Sequence, residues 1–228
     1  MQRLSRTVIQ LNMATRTHHV AADTPWLDLM VPTVGKLRYV KHLLKVYGFE
    51  APIEAAFRYT PGLRALVDLR ARMRSGLIAQ DLMRLGMSAG RLAGLPQRFT
   101  TFASPAEALG WMYVIERSTL LHGGVRRYLT QHIPDASEAT SYLAAYDGAT
   151  GLRWSELGSA FDAISGSPSA TRQIVRAANS GFRALCDWFA PTSRSCTSGL
   201  DDPRRPKRRQ HREGAGGVFG QVKKRADL

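Results

Sequence analysis

The stretch Ala108–Leu129, ALGWMYVIERSTLLHGGVRRYL, constrains the fold of this chain more than any other segment. Its apolar residues recur at helical spacing on two stripes, which predicts a long helix that is buried on more than one side. Ser104, Pro105 and Glu107 precede it in the pattern of a capping box. The helix is therefore expected to begin at Pro105.

Two consecutive glycines, Gly123 and Gly124, fall inside this helical pattern. Each glycine destabilises a helix by roughly 1 kcal/mol relative to alanine, so the pair needs a reason. Three interpretations fit the residues. The pair makes a kink, it lets the backbone approach a flat ligand, or it caps a helix that ends at Gly123.

The rest of the chain reads as further helices, because no run has the alternation of a strand. Its 228 residues, 44% of them hydrophobic, suffice for one domain with a substantial core. We therefore expect a single all-α domain, a multi-helical bundle, over residues 1–190. The expected helices are 6–23, 36–47, 51–59, 63–74, 77–85, 105–129, 138–146, 154–164 and 170–189.

Cysteine content and hydrophobicity predict where the protein works. Two cysteines, Cys186 and Cys196, cannot make a disulfide framework or a four-thiolate metal site. The first 19 residues lack the continuous apolar run of a secretory signal, and no run is long enough for a membrane span. We expect a reduced, cytoplasmic protein with no membrane partner.

Residues 191–228 differ from the rest in composition. They hold ten Lys/Arg and four Asp/Glu among many Pro, Gly and Ser, which predicts a basic, disordered tail. Its PRRPKRRQHR run has the charge to bind nucleic acid or an acidic surface. The alternatives are a solvated extension without function, which we favour over a nucleic-acid partner, and the product of an altered reading frame.

Six histidines are the candidate metal ligands, because a neutral imidazole can ligate a metal ion. His42 and His132 sit among polar neighbours and are expected at the surface, and His211 is in the tail. His18 and His19 lie on an apolar stripe of the first helix, and helical spacing slightly favours His18. A core histidine that ligates nothing is the alternative for either.

The segment Thr15–Asp23, TRTHHVAAD, resembles the proximal helix of bacterial heme oxygenases of the bacteriophytochrome-associated type. In that family a threonine stands four residues before the ligand histidine and an acidic residue four after it. The resemblance implies that His19 is the proximal iron ligand. It extends over about residues 11–189, with further likeness at 29–30, 39–43, 51–54, 80–82, 85–86, 154 and 178–188.

The opening helix resembles the distal helix of the same family, which reads approximately Tyr-Val-Leu-Glu-Gly-Ser-x-Leu-Gly-Gly. Residues 113–122 here read YVIERSTLLH, so Arg117 replaces a glycine and Leu121–His122 occupy the Gly-Gly positions. Gly123 and Gly124 follow two residues later. The resemblance implies that heme lies between the first helix and this one, with Ser118 and both glycines at its far side.

The resemblance also implies roles for charged and polar residues. His122 donates a hydrogen bond to iron-bound oxygen, or ligates iron as a sixth ligand. The alternative is a histidine packed beside Trp111 or hydrogen-bonded to a neighbouring helix. Arg16, Arg172 and Arg176 are the expected partners of the heme propionates.

The function implied is that of a heme oxygenase, with heme as both substrate and cofactor. Such an enzyme opens heme to biliverdin, carbon monoxide and ferrous iron, using O2 and electrons from a separate reductase or ferredoxin. Biliverdin would then serve a bacteriophytochrome. Two other hypotheses stay open: a non-enzymatic heme-binding or sensor protein on the same fold, and a heme-free helical interaction module acting through its basic tail.

Overall fold

Helices joined by turns make up residues 5–190, the part of the chain that our computed structural model describes. Within these residues the fold is all-α, as predicted. The prediction of a disordered tail concerns 191–228, which lie outside the described residues. The α-helices are α1 Arg6–Leu27, α2 Lys36–Tyr59, α3 Ser75–Arg84, α4 Ala89–Ala93, α5 Pro105–Arg117, α6 Thr119–His132, α7 Thr150–Ile164 and α8 Pro168–Phe189.

Serine side chains begin several of these helices. Ser104 Oγ accepts a hydrogen bond from Glu107 N over 3.3 Å, and Pro105 is the first helical residue, as the capping box predicts. Ser5 and Ser167 cap α1 and α8 in the same way. Each bond satisfies a backbone donor that the start of a helix leaves without a partner.

The helix α5 lies at the centre of the core, and residues 108–116 are all buried. This confirms the predicted burial on more than one side. Its closest neighbour is α8, which packs against it where Gly110 and Gly181 leave no side chain between the backbones. A Cβ added to Gly110 would lie only 2.6 Å from the Ile174 carbonyl oxygen.

The prediction of one continuous helix through the glycine pair is wrong, because the helix is interrupted at Ser118, between α5 and α6. The hydroxyls of Ser118 and Thr119 donate to Ile115 O and Glu116 O, over 3.0 and 2.6 Å. They compete with the next helical turn for those carbonyls. Gly123–Gly124 lie inside α6 and do not make the break.

Two predicted helix boundaries at prolines are also wrong. The helix α1 continues past Pro25, and α2 runs unbroken through Pro52. The end of α1 is held by Trp26, which is buried with its ring 4.3 Å from that of His42. The middle of α2 carries the buried ring of Phe49. Tertiary packing outweighs the local preference of proline at both places.

Two segments predicted as helices have other structures. Residues 63–74 contain only the short 3-10 helices Leu63–Ala65 and Arg70–Arg72, and residues 138–146 form turns. Asp81 holds these turns in place, because its carboxylate accepts hydrogen bonds from the backbone N–H groups of Ser141 and Tyr142. The predicted helices of α3, α7 and α8 are confirmed within a few residues.

No helix within residues 5–190 has both the length and the apolar character that crossing a membrane requires.

Candidate active site

His19 lies half-buried on α1, one turn after Thr15. The Thr15 hydroxyl donates to Leu11 O over 2.7 Å, and its oxygen lies 3.1 Å from His19 Nε2. Because the hydroxyl proton is already engaged, His19 Nε2 must be the donor in this contact. In the neutral ring, Nδ1 then carries the lone pair, and ligation through Nε2 requires the ring to turn from Thr15.

The surroundings of His19 favour its neutral form. Burial lowers the pKa of His19, and the positive charge of Arg117 lowers that pKa further. The Asp23 carboxylate, one turn along α1, acts in the opposite direction without reversing the shift. A neutral imidazole is the form that ligates a metal, so the site keeps His19 in its binding state.

His18 faces α8 and has a different set of contacts. Its Nε2 lies 3.1 Å from Asn179 Oδ1, and its ring stacks on Phe182 with centroids 5.7 Å apart. The ring of His19 meets the same Phe182 at 5.6 Å, but at a tilt of 53°. The engagement of His18 between α1 and α8 favours His19 as the candidate ligand.

An ion pair joins α1 to the end of α5 beside His19. Arg117 Nη2 donates to Asp23 Oδ2 over 2.7 Å, and the two side chains are only 16% and 20% exposed. Arg117 occupies a position at which the family that the sequence resembles has a glycine. The residue that replaces this glycine therefore ties the two helices together one turn beyond His19.

His122 is buried on α6 and packs on aromatic rings. Its ring centroid lies 4.9 Å from Trp26 and 4.8 Å from Tyr142, so the expectation of Trp111 as its neighbour is wrong. Its Nε2 has no hydrogen-bond partner within the described residues. Burial, with the charge of Arg74, holds the pKa of His122 well below its ordinary value.

The expectation that His42 lies at the surface is wrong. His42 is 7% exposed and packs edge-on against Trp26. Burial lowers the pKa of His42 to about 3, with a smaller contribution from Lys45. Trp26 thus contacts two neutral, buried histidines from α2 and α6, His42 and His122.

A buried carboxylate, Glu50 of α2, is a candidate functional residue that the sequence reasoning missed. Tyr142 Oη donates to Glu50 Oε1 over 2.7 Å, and Arg74 Nη2 lies 3.5 Å from Oε2. Burial raises the pKa of Glu50 to about 7, although Arg74 acts to lower it. The sequence feature that could have indicated it is the pair of acidic residues Glu50 and Glu54, which lie one turn apart in an apolar part of α2.

A second buried carboxylate, Glu116 of α5, belongs to the same polar interior. Tyr146 Oη donates to its Oε1 over 2.8 Å, and Arg72 Nη1 pairs with the same oxygen at 3.1 Å. Arg72 and Arg74 therefore balance two carboxylates on opposite helices. This network fixes α2 and α5 relative to the turns that carry the two tyrosines.

The comparison that decides the identity is with a family model. A sequence model described as Heme oxygenase matches residues 5–191. The chain belongs to the heme oxygenase family. Among solved structures it resembles the NO- and CO-bound heme oxygenase from Neisseria meningitidis, with a TM-score of 0.64, 20% identity, and coverage of 82% of this chain and 90% of that chain. No curated protein matches it in sequence.

Heme oxygenases bind heme as substrate and cofactor, and they degrade it. The groups around His19 suit heme, because a neutral imidazole and the aromatic Phe182 lie together. A small cavity lies further along α1 and α8. It measures only about 20 Å³ and lies between α1, α2, α5 and α8, with Trp26, Glu50 and Ser118 in its wall. Ligand pockets measure roughly 300–1,000 Å³, so this cavity is too small to hold heme as it stands.

The three arginines expected at the propionates lie at the surface of the bundle. Arg16 is exposed on α1, and Arg172 and Arg176 are exposed on α8. None of the three has a hydrogen bond or ion pair of its side chain with another described residue. Their charges are therefore available to an anionic group at the edge of the α1–α8 pair.

The distal glycines lie apart from the buried cluster. Gly123 and Gly124 are exposed on α6, and a Cβ added to either would meet nothing within 4 Å. The side-chain position of neither glycine packs against Trp26 or His19. Ser118 does line the small cavity. The catalytic role expected of the glycines stays a prediction.

Proposed function

We propose that this chain is an active heme oxygenase that opens heme to biliverdin, carbon monoxide and ferrous iron. O2 and electrons from a separate reductase or ferredoxin are the co-reactants. The observation that carries the proposal is the arrangement Thr15–His19–Asp23, in which the imidazole is neutral and Thr15 holds it by a 3.1 Å contact. The phytochrome partner and the cytoplasmic location stay predictions from the resemblance and the composition.

His19 is the residue that holds heme, through one ring nitrogen on the iron. Thr15 holds the ring through Nε2 until heme binds and leaves Nδ1 with the lone pair, and Asp23 is the acidic residue one turn beyond. Bound heme supplies the iron on which O2 is activated to attack the porphyrin itself. The chain supplies ligation, orientation and protons.

Glu50 is our candidate for the proton-holding group of the pocket. It lines the cavity next to Ser118, and its pKa of about 7 lets it both hold and release a proton near neutral pH. Tyr142 keeps the carboxyl group in place through its hydrogen bond. The neighbouring charge of Arg74 stabilises the carboxylate after the proton has left.

Arg16, Arg172 and Arg176 are our candidates for the propionate partners. A guanidinium forms short, charge-assisted hydrogen bonds with a carboxylate, and exposed side chains can reach a ligand edge without disturbing the core. Heme bound by His19 would then have its iron inside the bundle and its charged edge at the surface.

Heme titration followed by turnover tests this function. Hemin added to the wild type should give a Soret band, and a reductant with O2 should then convert that band to the absorption of biliverdin. His19→Ala should lose most of the affinity, and the matched control His18→Ala should retain it. An unchanged Soret band in His19→Ala, or a wild type that binds no hemin, would overturn the proposal.

His122 favours a second candidate function, a heme-binding protein without turnover. Its imidazole is neutral and its Nε2 has no partner within the described residues, as a sixth iron ligand requires. The absorption spectrum discriminates between the two. A six-coordinate, bis-histidine heme that survives reductant and O2, and that becomes five-coordinate or water-ligated in His122→Leu, would establish the non-enzymatic function.

A further inference from the structure

The ion pair of Arg117 and Asp23 lies beside His19. Asp23 is one turn beyond His19 on α1, and Arg117 is the last residue of α5. Trp26, three residues beyond Asp23 on α1, and Ser118, the residue after Arg117, form part of the wall of the small cavity. The pair therefore ties α1 to the end of α5 at a position between His19 and this cavity.

The pair is more than a surface contact. Both side chains are at least four-fifths buried, and the two charged atoms lie 2.7 Å apart. Arg117 Nε is buried with no hydrogen-bond partner within the described residues, so the ion pair is the polar contact that holds the guanidinium there. Buried charges stay in place only when they are paired, so the closed arrangement depends on both residues.

We propose that Arg117 and Asp23 form a latch that holds α1 against the α5–α6 junction, and that heme must open this latch to reach His19. The inference rests on the proposed function, since it takes His19 as the iron ligand. The break at Ser118 supports it. Because α5 ends at Arg117, this residue can release Asp23 and turn outward without unwinding a helical turn.

The latch lowers heme affinity by reducing the fraction of molecules that can bind. When a binding-competent state is only partly populated, the apparent dissociation constant rises in proportion. The Arg117–Asp23 pair is neither fully exposed nor fully buried. An ion pair of this kind changes the equilibrium constant between the closed and open states by roughly threefold to thirtyfold. Opening the latch should therefore raise the rate and affinity of heme binding by about tenfold.

The test is stopped-flow binding of hemin to the full chain, followed by the Soret absorbance. Arg117→Ala and Asp23→Asn should each bind hemin about tenfold faster than the wild type. The matched control is Arg126→Ala, which breaks another Arg–Asp pair, with Asp147, on the exposed side of α6. It should leave the rate unchanged. The charge exchange Arg117→Asp with Asp23→Arg should restore slow binding.

The outcomes separate this inference from the proposed function. If the wild type binds no hemin, or if His19→Ala binds it as well, the proposed function fails. If binding requires His19 but Arg117→Ala and Asp23→Asn bind at the wild-type rate or more slowly, the latch is overturned. Far-UV circular dichroism shows whether each variant folds. If Arg117→Ala or Asp23→Asn does not fold, the binding rate of the other variant tests the latch.

Discussion

Tyr142 Oη donates a 2.7 Å hydrogen bond to Glu50 Oε1 in the interior of the bundle. The two residues are 92 positions apart, and both are nearly inaccessible to solvent. The bond places a carboxyl group of raised pKa in the wall of the small cavity. The protonation of Glu50 therefore affects the stability of the fold and, under the proposed function, the proton supply of the site.

Glu50→Gln should make the protein more stable above neutral pH. The pKa of Glu50 is about 7 in the fold and 4.5 ordinarily, so between these values the folded protein holds a proton that the unfolded chain releases. The unfolding free energy therefore falls as pH rises through this window, by on the order of 3 kcal/mol. Glutamine keeps the size of the side chain and removes this fall.

Urea denaturation at pH 4.5 and pH 8 measures the effect. The variant and the wild type should have similar unfolding free energies at pH 4.5, and the variant should exceed the wild type at pH 8. Glu138→Gln, at an exposed position, is the control and should follow the wild type at both pH values. A constant difference between Glu50→Gln and the wild type would contradict the raised pKa.

His42 should make the fold sensitive to acid. Its pKa is lowered to about 3 by burial, whereas the unfolded chain binds the proton near pH 6.5. The stability contributed by the neutral ring is complete above pH 6.5 and is lost as pH falls. The loss at pH 4 amounts to on the order of 3 kcal/mol.

His42→Leu should remove this acid sensitivity, because leucine fills the site beside Trp26 without a titratable group. Between pH 7 and pH 4 the unfolding free energy of the wild type should fall by on the order of 3 kcal/mol more than that of the variant. His132→Leu is the control, since His132 is exposed. Parallel curves for His42→Leu and the wild type would show that His42 does not resist protonation.

The sequence predicted the elements whose signals are local. The start of α5 follows from Ser104, Pro105 and Glu107, because each residue acts on the backbone within one turn. The choice of His19 came from the resemblance of Thr15–Asp23 to the proximal helix of the family, because helical spacing alone slightly favours His18. That resemblance is also local, since Thr15 and Asp23 each stand one turn from His19.

The parts that the sequence did not predict depend on distant partners. Nothing near Glu50 in the chain shows that Tyr142 and Arg74 will surround it. His42 reads as a surface residue until Trp26 is brought onto it by the last turn of α1, beyond Pro25. The interruption before α6 is also difficult to predict from the sequence. The hydroxyls of Ser118 and Thr119 cause it, whereas the more noticeable glycines lie inside α6.

Arg172→Ala and Arg176→Ala should each weaken heme binding by roughly threefold to tenfold. This is the loss of affinity expected when one charge-assisted hydrogen bond at the surface is removed. Arg127→Ala, an exposed arginine of α6, is the matched control and should leave the affinity unchanged. The measurement is a hemin titration of each variant followed by the Soret absorbance.

Heme dimethyl ester identifies the interaction, because it lacks the propionate charges. If Arg172 and Arg176 pair with propionates, their loss should matter for hemin and not for the ester, as in a double-mutant cycle. Equal losses for both ligands would mean that these arginines act through the structure of α8.

The final prediction contrasts two glycines of the α5–α6 region. Gly110→Ala should destabilise the protein severely, because the new Cβ would lie 2.6 Å from Ile174 O and 2.9 Å from Ala178 N. Backbone atoms of a packed helix cannot move aside as a flexible side chain does, so α5 and α8 must separate. We expect a loss of about 3 kcal/mol or more, at the upper end of overpacking effects.

Gly124→Ala is the matched control, since nothing lies within 4 Å of its Cβ position and the residue is inside α6. It should be neutral or raise the unfolding free energy by up to about 1 kcal/mol, because alanine favours the helix. Thermal denaturation by circular dichroism should then show a Tm lower by about 6–12 °C for Gly110→Ala and no decrease for Gly124→Ala. Equal decreases would mean that Gly124 also packs against a neighbouring surface. That result would contradict the open space beside its Cβ position.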